Sequence, residues 1–161
     1  MLDVATDPVL VKSFDRPLLV ELKERHLRGL RVQGAQKEYE YMLEQSDAVA
    51  VYMHGPGWSA VSDGRVIGCA GVALQWFGRA VVWSFIDERI TPREFIRCHH
   101  LTKAKIAQLQ LSPRYKRLEM DVDQDFRNGH RWARALGFRD EGPMEAYSPT
   151  GRTCHRYARV A

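Results

Sequence analysis

Between Trp58 and Asp87 the chain reads WSAVSDGRVIGCAGVALQWFGRAVVWSFID, apolar and β-branched runs cut by Asp63-Gly64 and by Phe77-Gly78-Arg79. Asp-Gly between such runs is a hairpin signal, because both central residues of a type I′ turn need φ > 0. Residues 58–86 are therefore expected to form an antiparallel meander of two or three strands. HGPGW, residues 54–58, punctuates the chain just before it. On alternating strands Trp83 and Phe85 share one face, which reads as a core face under a helix. Trp76 and Phe77, at the second turn, and the final strands could form a dimer edge.

The flanks supply the cover. PVLVKSF, residues 8–14, reads as a first strand, and LLVELKERHLRGLR after Pro17 reads as a helix begun near an Asp15 cap. In AQKEYEYMLEQ, Tyr39, Met42 and Leu43 fall at i, i+3 and i+4, so a second helix is expected, closed by Ser46-Asp47. TPRE, residues 91–94, places Thr at an N-cap, Pro at the first helical position and Glu three residues after the cap. Phe95 and Ile106, and likewise Cys98 and Leu109, lie three turns apart, giving one apolar face over residues 92–110, ended by Pro113. RLEMDVD, residues 117–123, alternates as a strand, and RNGHRWARALGF, residues 127–138, reads as a helix docked on a sheet. The final segment suggests two short strands around Pro149-Thr150-Gly151.

With 161 residues, 45% apolar and 27% charged, the chain can bury one core, so a single domain over 1–161 is expected. No apolar run approaches the roughly 20 residues of a membrane span, and the first residues carry acids where a secretory signal is positive. The expectation is an intracellular protein with no membrane partner. Cys69, Cys98 and Cys154 are odd in number and form no CxxC pair, so they read as reduced thiols. A net charge of +4 is spread along the chain. RYKR, residues 114–117, has no recognition motif or aromatic-basic stripe beside it, which argues against nucleic acid.

The order of strand, two helices, three-strand meander, helix, strand, helix and two strands, with LEMDVD, ARALGFRDEG and AYSPTG in its last third, resembles the GNAT superfamily of acetyl-CoA-dependent N-acyltransferases over nearly the whole chain. In that family a helix closing with Gly-Phe is followed by a strand opening with an acidic or polar pair and a Gly, as in Gly137-Phe138 and Arg139-Asp140-Glu141-Gly142. The resemblance implies an α/β (α+β) fold, one mixed and mostly antiparallel sheet of six to seven strands flanked by helices. It implies acetyl transfer from acetyl-CoA to an amine of a small molecule or protein.

In the family the fourth strand and the loop after it hold the cofactor, and a glycine-rich loop leads into a helix N-terminus that cradles the pyrophosphate. Amide N–H groups and the helix dipole favour anionic oxygens there. The resemblance therefore assigns Phe85, Ile86, Arg89, Thr91 and Arg93 to cofactor binding. Asn128 joins them, about two residues from where the family's asparagine stands. Asp87 and Glu88, at the end of the fourth strand, are the candidate bases, with Asp123 in a similar place on the next strand. Two departures stand out: DERITPREF, residues 87–95, contains no glycine, and Ala133 stands where the family usually carries a general-acid tyrosine. Short GNAT-like proteins of tailed phages share both departures, and this chain is similar to them. That likeness implies the alternative of an inactive interaction or virion-associated module in a bacterial or phage-infected cytoplasm.

His100 and His155 could titrate near neutrality. Cys98, His99 and His100 are successive helical positions about 100° apart and cannot all face one ion, so no metal site is expected.

Overall fold

The computed structural model describes residues 17–161, so the strand expected at 8–14 lies outside the described residues. The elements are β1 (Leu18–Glu21), α1 (Glu24–Arg28), a 3₁₀ turn (Gly34–Tyr39), α2 (Glu40–Glu44), α3 (Ser46–Met53), β2 (Gly57–Ser62), β3 (Arg65–Trp76), β4 (Arg79–Ile86), α4 (Pro92–Leu109), a second 3₁₀ turn (Pro113–Tyr115), β5 (Arg117–Asp123), α5 (Arg127–Ala135), β6 (Arg139–Met144) and β7 (Cys154–Val160). They form a seven-stranded mixed sheet in the order β1-β2-β3-β4-β5-β7-β6, flanked by helices. By their contacts the residues fall into two compact units, 17–72 with Ser84–Thr102, and Ala73–Trp83 with Lys103–Ala161.

In the first unit the meander forms as expected. Asp63 and Gly64 take φ 50° and 69°, the paired left-handed values of a tight hairpin turn. The helix expected after Pro17 is corrected: Leu18–Glu21 pairs antiparallel with β2, Leu18 opposite Val61 and Glu21 opposite Trp58, and only Glu24–Arg28 is helical. Sheet pairing that half-buries Leu18, Leu19 and Val20 outweighs the weak helical preference of LLVE. Ser46 opens α3 where closure of a helix was expected. Ala60, Ile67 and Cys98 form a buried cluster joined by Leu19 and Ile90. The buried Ser59 hydroxyl bonds His26 Nδ1 at 2.8 Å and meets Cys69 Sγ at 3.4 Å, and burial pushes the Cys69 thiol up to about 12.

The second unit is built on β5. It pairs parallel with β4 over Arg79–Val81 and antiparallel with β7 along its whole length, Arg117 opposite Val160 to Asp123 opposite Cys154. Alternation sends Leu118 and Val122 into the core and Arg117, Glu119, Asp121 and Asp123 to the opposite face. There the buried Glu119 carboxylate accepts from Arg79 at 2.8 and 2.6 Å, from Arg117 at 2.5 Å and from Arg156 at 2.5 Å. The Arg79 hydrogen bonds, aided by Arg117 and Arg156, outweigh burial and hold that carboxyl at about 2. On the core face α5 packs against β5 at Gly129, where an added Cβ would lie 2.5 Å from the Phe126 ring and 2.8 Å from Val122 Cγ1. A helical glycine is therefore required by packing despite its poor propensity.

Gly129→Ala should cost about 1–3 kcal/mol through this overpacking and lower Tm by several degrees in a calorimetric scan. Because its folded pKa is depressed, Glu119 stabilises fully above its unfolded value and loses that contribution as pH falls from 4.5 to about 2. Tm measured across that window should drop in the wild type. Glu119→Gln should start lower, with three arginines left short of charge, and fall less steeply.

Candidate functional site

The site assigned by the resemblance is the end of β4, the 87–91 loop and the first turn of α4, all within the first unit. Asp87 is its centre. Its side chain is wholly buried, 0% exposed, and donors surround its carboxylate. Oδ1 accepts from the Arg89 amide at 2.9 Å and Arg89 Nε at 2.8 Å, while Oδ2 accepts from an Arg89 terminal nitrogen at 2.7 Å and the Arg31 amide at 3.2 Å. Arg65 stands 3.9 Å away. Burial pushes the carboxyl up, but the bonds from Arg89 and from the Arg31 amide outweigh it and hold it below the usual range. A carboxylate so held is a poor proton acceptor, so Asp87 works as the anchor of the loop.

The capping box expected from TPRE is present. Glu94 Oε2 accepts from the Thr91 amide at 2.9 Å and the Thr91 hydroxyl at 3.1 Å, and the Glu94 amide donates back to Thr91 Oγ1 at 3.3 Å. The Arg65 guanidinium braces Glu94 at 3.0 and 3.2 Å. Burial raises the Glu94 carboxyl, and the Thr91 amide, Ser62 and Arg65 together bring it below its ordinary value.

An amide census of this stretch leaves little for a ligand. The amides of Asp87, Glu88, Arg89, Ile90, Thr91, Glu94 and Phe95 all donate within the chain. Pro92 has none. The Arg93 amide is the first-turn donor outside the box, and the Arg93 and Glu88 side chains are exposed.

The outer edge of β4 is occupied as well. Since Asp87 N–H donates to Ile67 of β3 at 3.0 Å, the backbone groups of Ser84 and Ile86 point to the opposite edge. There the Gln36 side chain donates to Ser84 O at 2.7 Å and accepts from the Ile86 amide at 3.2 Å. Gln33 N–H donates to Ile86 O at 3.2 Å, Glu88 N–H donates to Arg31 O at 2.6 Å, and Val32 bridges antiparallel to Asp87. Residues 31–33 thus run beside β4 at Ile86–Glu88, and Gln36, inside the 3₁₀ turn, reaches back to Ser84 and Ile86 with its side chain.

The remaining assigned residues fare as follows. Phe85 and Ile86 are buried in the core: Tyr52 packs edge-on to Phe85 with centroids 5.1 Å apart, and Ile86 lies against Gly68. Arg89 is spent on Asp87. Asn128 is exposed in the first turn of α5, in the second unit, as Arg93 and Glu88 are exposed in the first. Asp123 is clamped by Arg152 at 2.5 and 2.9 Å, which lowers its carboxyl. Cys98 and Cys154 are buried, His155 bonds Asp140 at 2.9 Å, and among the described residues no three His, Cys, Asp or Glu side chains gather as a metal site. Gln33, Gln36 and Arg65 are the residues that the sequence reading missed. Their hydrogen bonds span from 29 positions (Arg65 to Glu94) to 53 (Gln33 to Ile86) along the chain and leave no periodic signal.

No protein-family model and no curated protein matches the chain. Solved structures do. A spermidine N-acetyltransferase chimera from Vibrio cholerae superimposes with a TM-score of 0.71 at 12% identity, over 90% of this chain and 95% of that one. A GNAT-family acetyltransferase from Bacillus anthracis gives 0.68 at 12% identity, over 91% and 95%. An acetyltransferase candidate from Salmonella typhimurium, solved with its cofactor acetyl-CoA, gives 0.65 at 10% identity, over 91% and 94%. The chain therefore has the GNAT fold. The residues present do not fit acetyl-CoA in the way the resemblance implies, because the loop amides and the β4 edge that would receive it are bonded to Asp87, Glu94, Arg31, Gln33 and Gln36.

Asp87→Ala would leave the Arg31 and Arg89 amides without their acceptor and unpair the part-exposed Arg89 guanidinium, and should cost about 1–3 kcal/mol in urea unfolding. Glu88→Ala, exposed, should change stability by less than about 0.5 kcal/mol.

Proposed function

We propose that this chain uses the GNAT fold as an interaction module and does not turn over acetyl-CoA. The carrying observation is the β4 edge: Ser84 O, Ile86 N–H, Ile86 O and Glu88 N–H are all paired with residues 31–36. Those four groups are thereby withdrawn from a second extended chain, whether peptide or cofactor arm. The glycine-free, proline-containing loop supports the same reading from the sequence side, since its amides are turned to the chain's own carboxylates. The likeness to short tailed-phage proteins extends this reading to a role in a bacterial or phage-infected cell, in its cytoplasm or on the virion.

The second reading is an N-acetyltransferase that moves an acetyl group to a small-molecule or protein amine. The structural neighbours favour it, one being a spermidine N-acetyltransferase and another carrying acetyl-CoA. In that case residues 31–36 must leave β4, the Arg93 amide and guanidinium meet phosphate, and Glu88 is the exposed carboxylate left to take a proton.

Thermal unfolding with acetyl-CoA, CoA and ATP separates the two. The module reading expects no shift with any of them. A ligand at 100 times its Kd adds about 2.7 kcal/mol, a rise of several degrees for a domain this size. Such a rise with acetyl-CoA and CoA but not ATP, lost in Arg93→Ala and enlarged in Gln36→Ala, overturns it in favour of the enzyme.

A further inference from the structure

RYKR, residues 114–117, has no aromatic neighbour along the sequence beyond its own Tyr115, but the fold brings two more to it. In the turn that joins β3 to β4, Gly78 N–H donates to Arg114 O at 3.0 Å and Gly78 O accepts from the Arg117 amide at 2.9 Å, which seats Trp76 and Phe77 beside this segment. Both rings face water, Trp76 60% and Phe77 71% exposed. The Trp76 ring is also held in place. The Arg79 guanidinium lies 4.4 Å from its centroid and is itself fixed by bonds to Glu119 at 2.8 and 2.6 Å. One face of the indole is thus backed by a cation, and the exposed face is a fixed platform for stacking.

We propose that this end of the second unit binds single-stranded nucleic acid, with unpaired bases stacked on Trp76 and Phe77 and the phosphodiester backbone drawn along the cations beside them. Charge selects that occupant. Neither 73–83 nor 103–118 contains an Asp or Glu, while the two stretches carry Arg79, Lys103, Lys105, Arg114, Lys116 and Arg117. Arg79 and Arg117 are engaged by Glu119 and Glu141, whereas Arg114 and Lys116 stand exposed. The cations continue past the segment. The Gln110 side chain donates to Lys116 O at 3.4 Å and to Arg159 O at 3.3 Å, and Arg159 lines, with Lys103 and Arg139, a groove of about 540 Å³. The acid on its wall, Glu141, is paired with Arg117.

Exposed rings beside a tract of cations are the two elements that hold a flexible strand, since every base has a π-face and every nucleotide a phosphate. A duplex keeps its bases stacked on one another, so it would use the cations and leave the rings idle. An anionic lipid surface would take the Trp76 ring into its apolar layer and draw the Arg79 guanidinium stacked on it away from water, a cost that an unpaired base does not impose. This inference is independent of whether acetyl-CoA binds, because none of these residues belongs to the end of β4 or to the 87–91 loop.

Fluorescence anisotropy of the full chain with labelled oligo(dT) and oligo(rU) of about 20 nucleotides, from about 20 to 200 mM salt, tests this. Either strand should bind at low salt, the tighter one naming the source, and a duplex of the same length should bind at least about tenfold more weakly. Trp76→Ala and Phe77→Ala should each weaken binding about tenfold with the salt dependence unchanged. Arg114→Ala and Lys116→Ala should instead each lower the slope of log K against log salt by about 0.7, one phosphate contact apiece. No binding of either strand at about 20 mM salt overturns the proposal, as do equal affinity for the duplex or aromatic variants that bind like the wild type. Capture by vesicles containing about one-third phosphatidylserine, with neither strand retained, overturns it in favour of a lipid surface. The four positions are exposed, so the variants keep the fold, which an unchanged Tm of each verifies.

Discussion

The buried Asp87 carboxylate is the constraint around which the first unit is arranged. A charge removed from water is tolerated only when donors surround it, and here they come from the Arg31 amide and from both the amide and the guanidinium of Arg89. Meeting that demand brings residues 31–33 alongside β4 and curls the 87–91 loop back on itself. Arg65 then stands between Asp87 and Glu94, linking the strand end to the capped start of α4. The same bonds that stabilise this corner consume the backbone groups on which an anionic cofactor would rest. Stability and ligand capacity compete here for one set of donors, and stability holds them.

The second unit solves the same problem with side-chain donors alone. Three arginines converge on Glu119, Arg117 also pairs with Glu141, and Arg156 continues to Asp121 at 2.6 Å. The face of β5 and β7 turned away from the core is thereby covered by ion pairs in place of an apolar layer. Alternation along RLEMDVD and CHRYARV is what sorts these charges to one side and Leu118, Val122 and Tyr157 to the other.

Much of this fold was legible because its signals are local or periodic. Asp63-Gly64 demanded a turn, TPRE demanded a cap, and RLEMDVD matched β5 residue for residue. The helix expected from LLVELKERHLRGLR was misread in its first half, since Leu18–Glu21 becomes a strand only when β2 is beside it. The site was legible in negative form: the missing glycines were visible, but not what replaced them. Gln33 and Gln36 carry no pattern that points to β4, fifty positions away, and nothing local told the candidate base Asp87 from an anchoring carboxylate until its burial was known.

The place of β7 between β5 and β6 has a consequence for synthesis. During translation β6 leaves the ribosome before β7, yet among the described residues β6 pairs with no strand but β7. Until β7 emerges, β6 has no neighbour and Glu119 lacks its Arg156 partner, although Arg79 and Arg117 are already present. The half-made sheet therefore carries a highly charged edge on β5 through the whole interval. That charge is a guard against wrong pairing, since a nascent strand edge rich in Arg, Glu and Asp repels the apolar segments that would otherwise add to it.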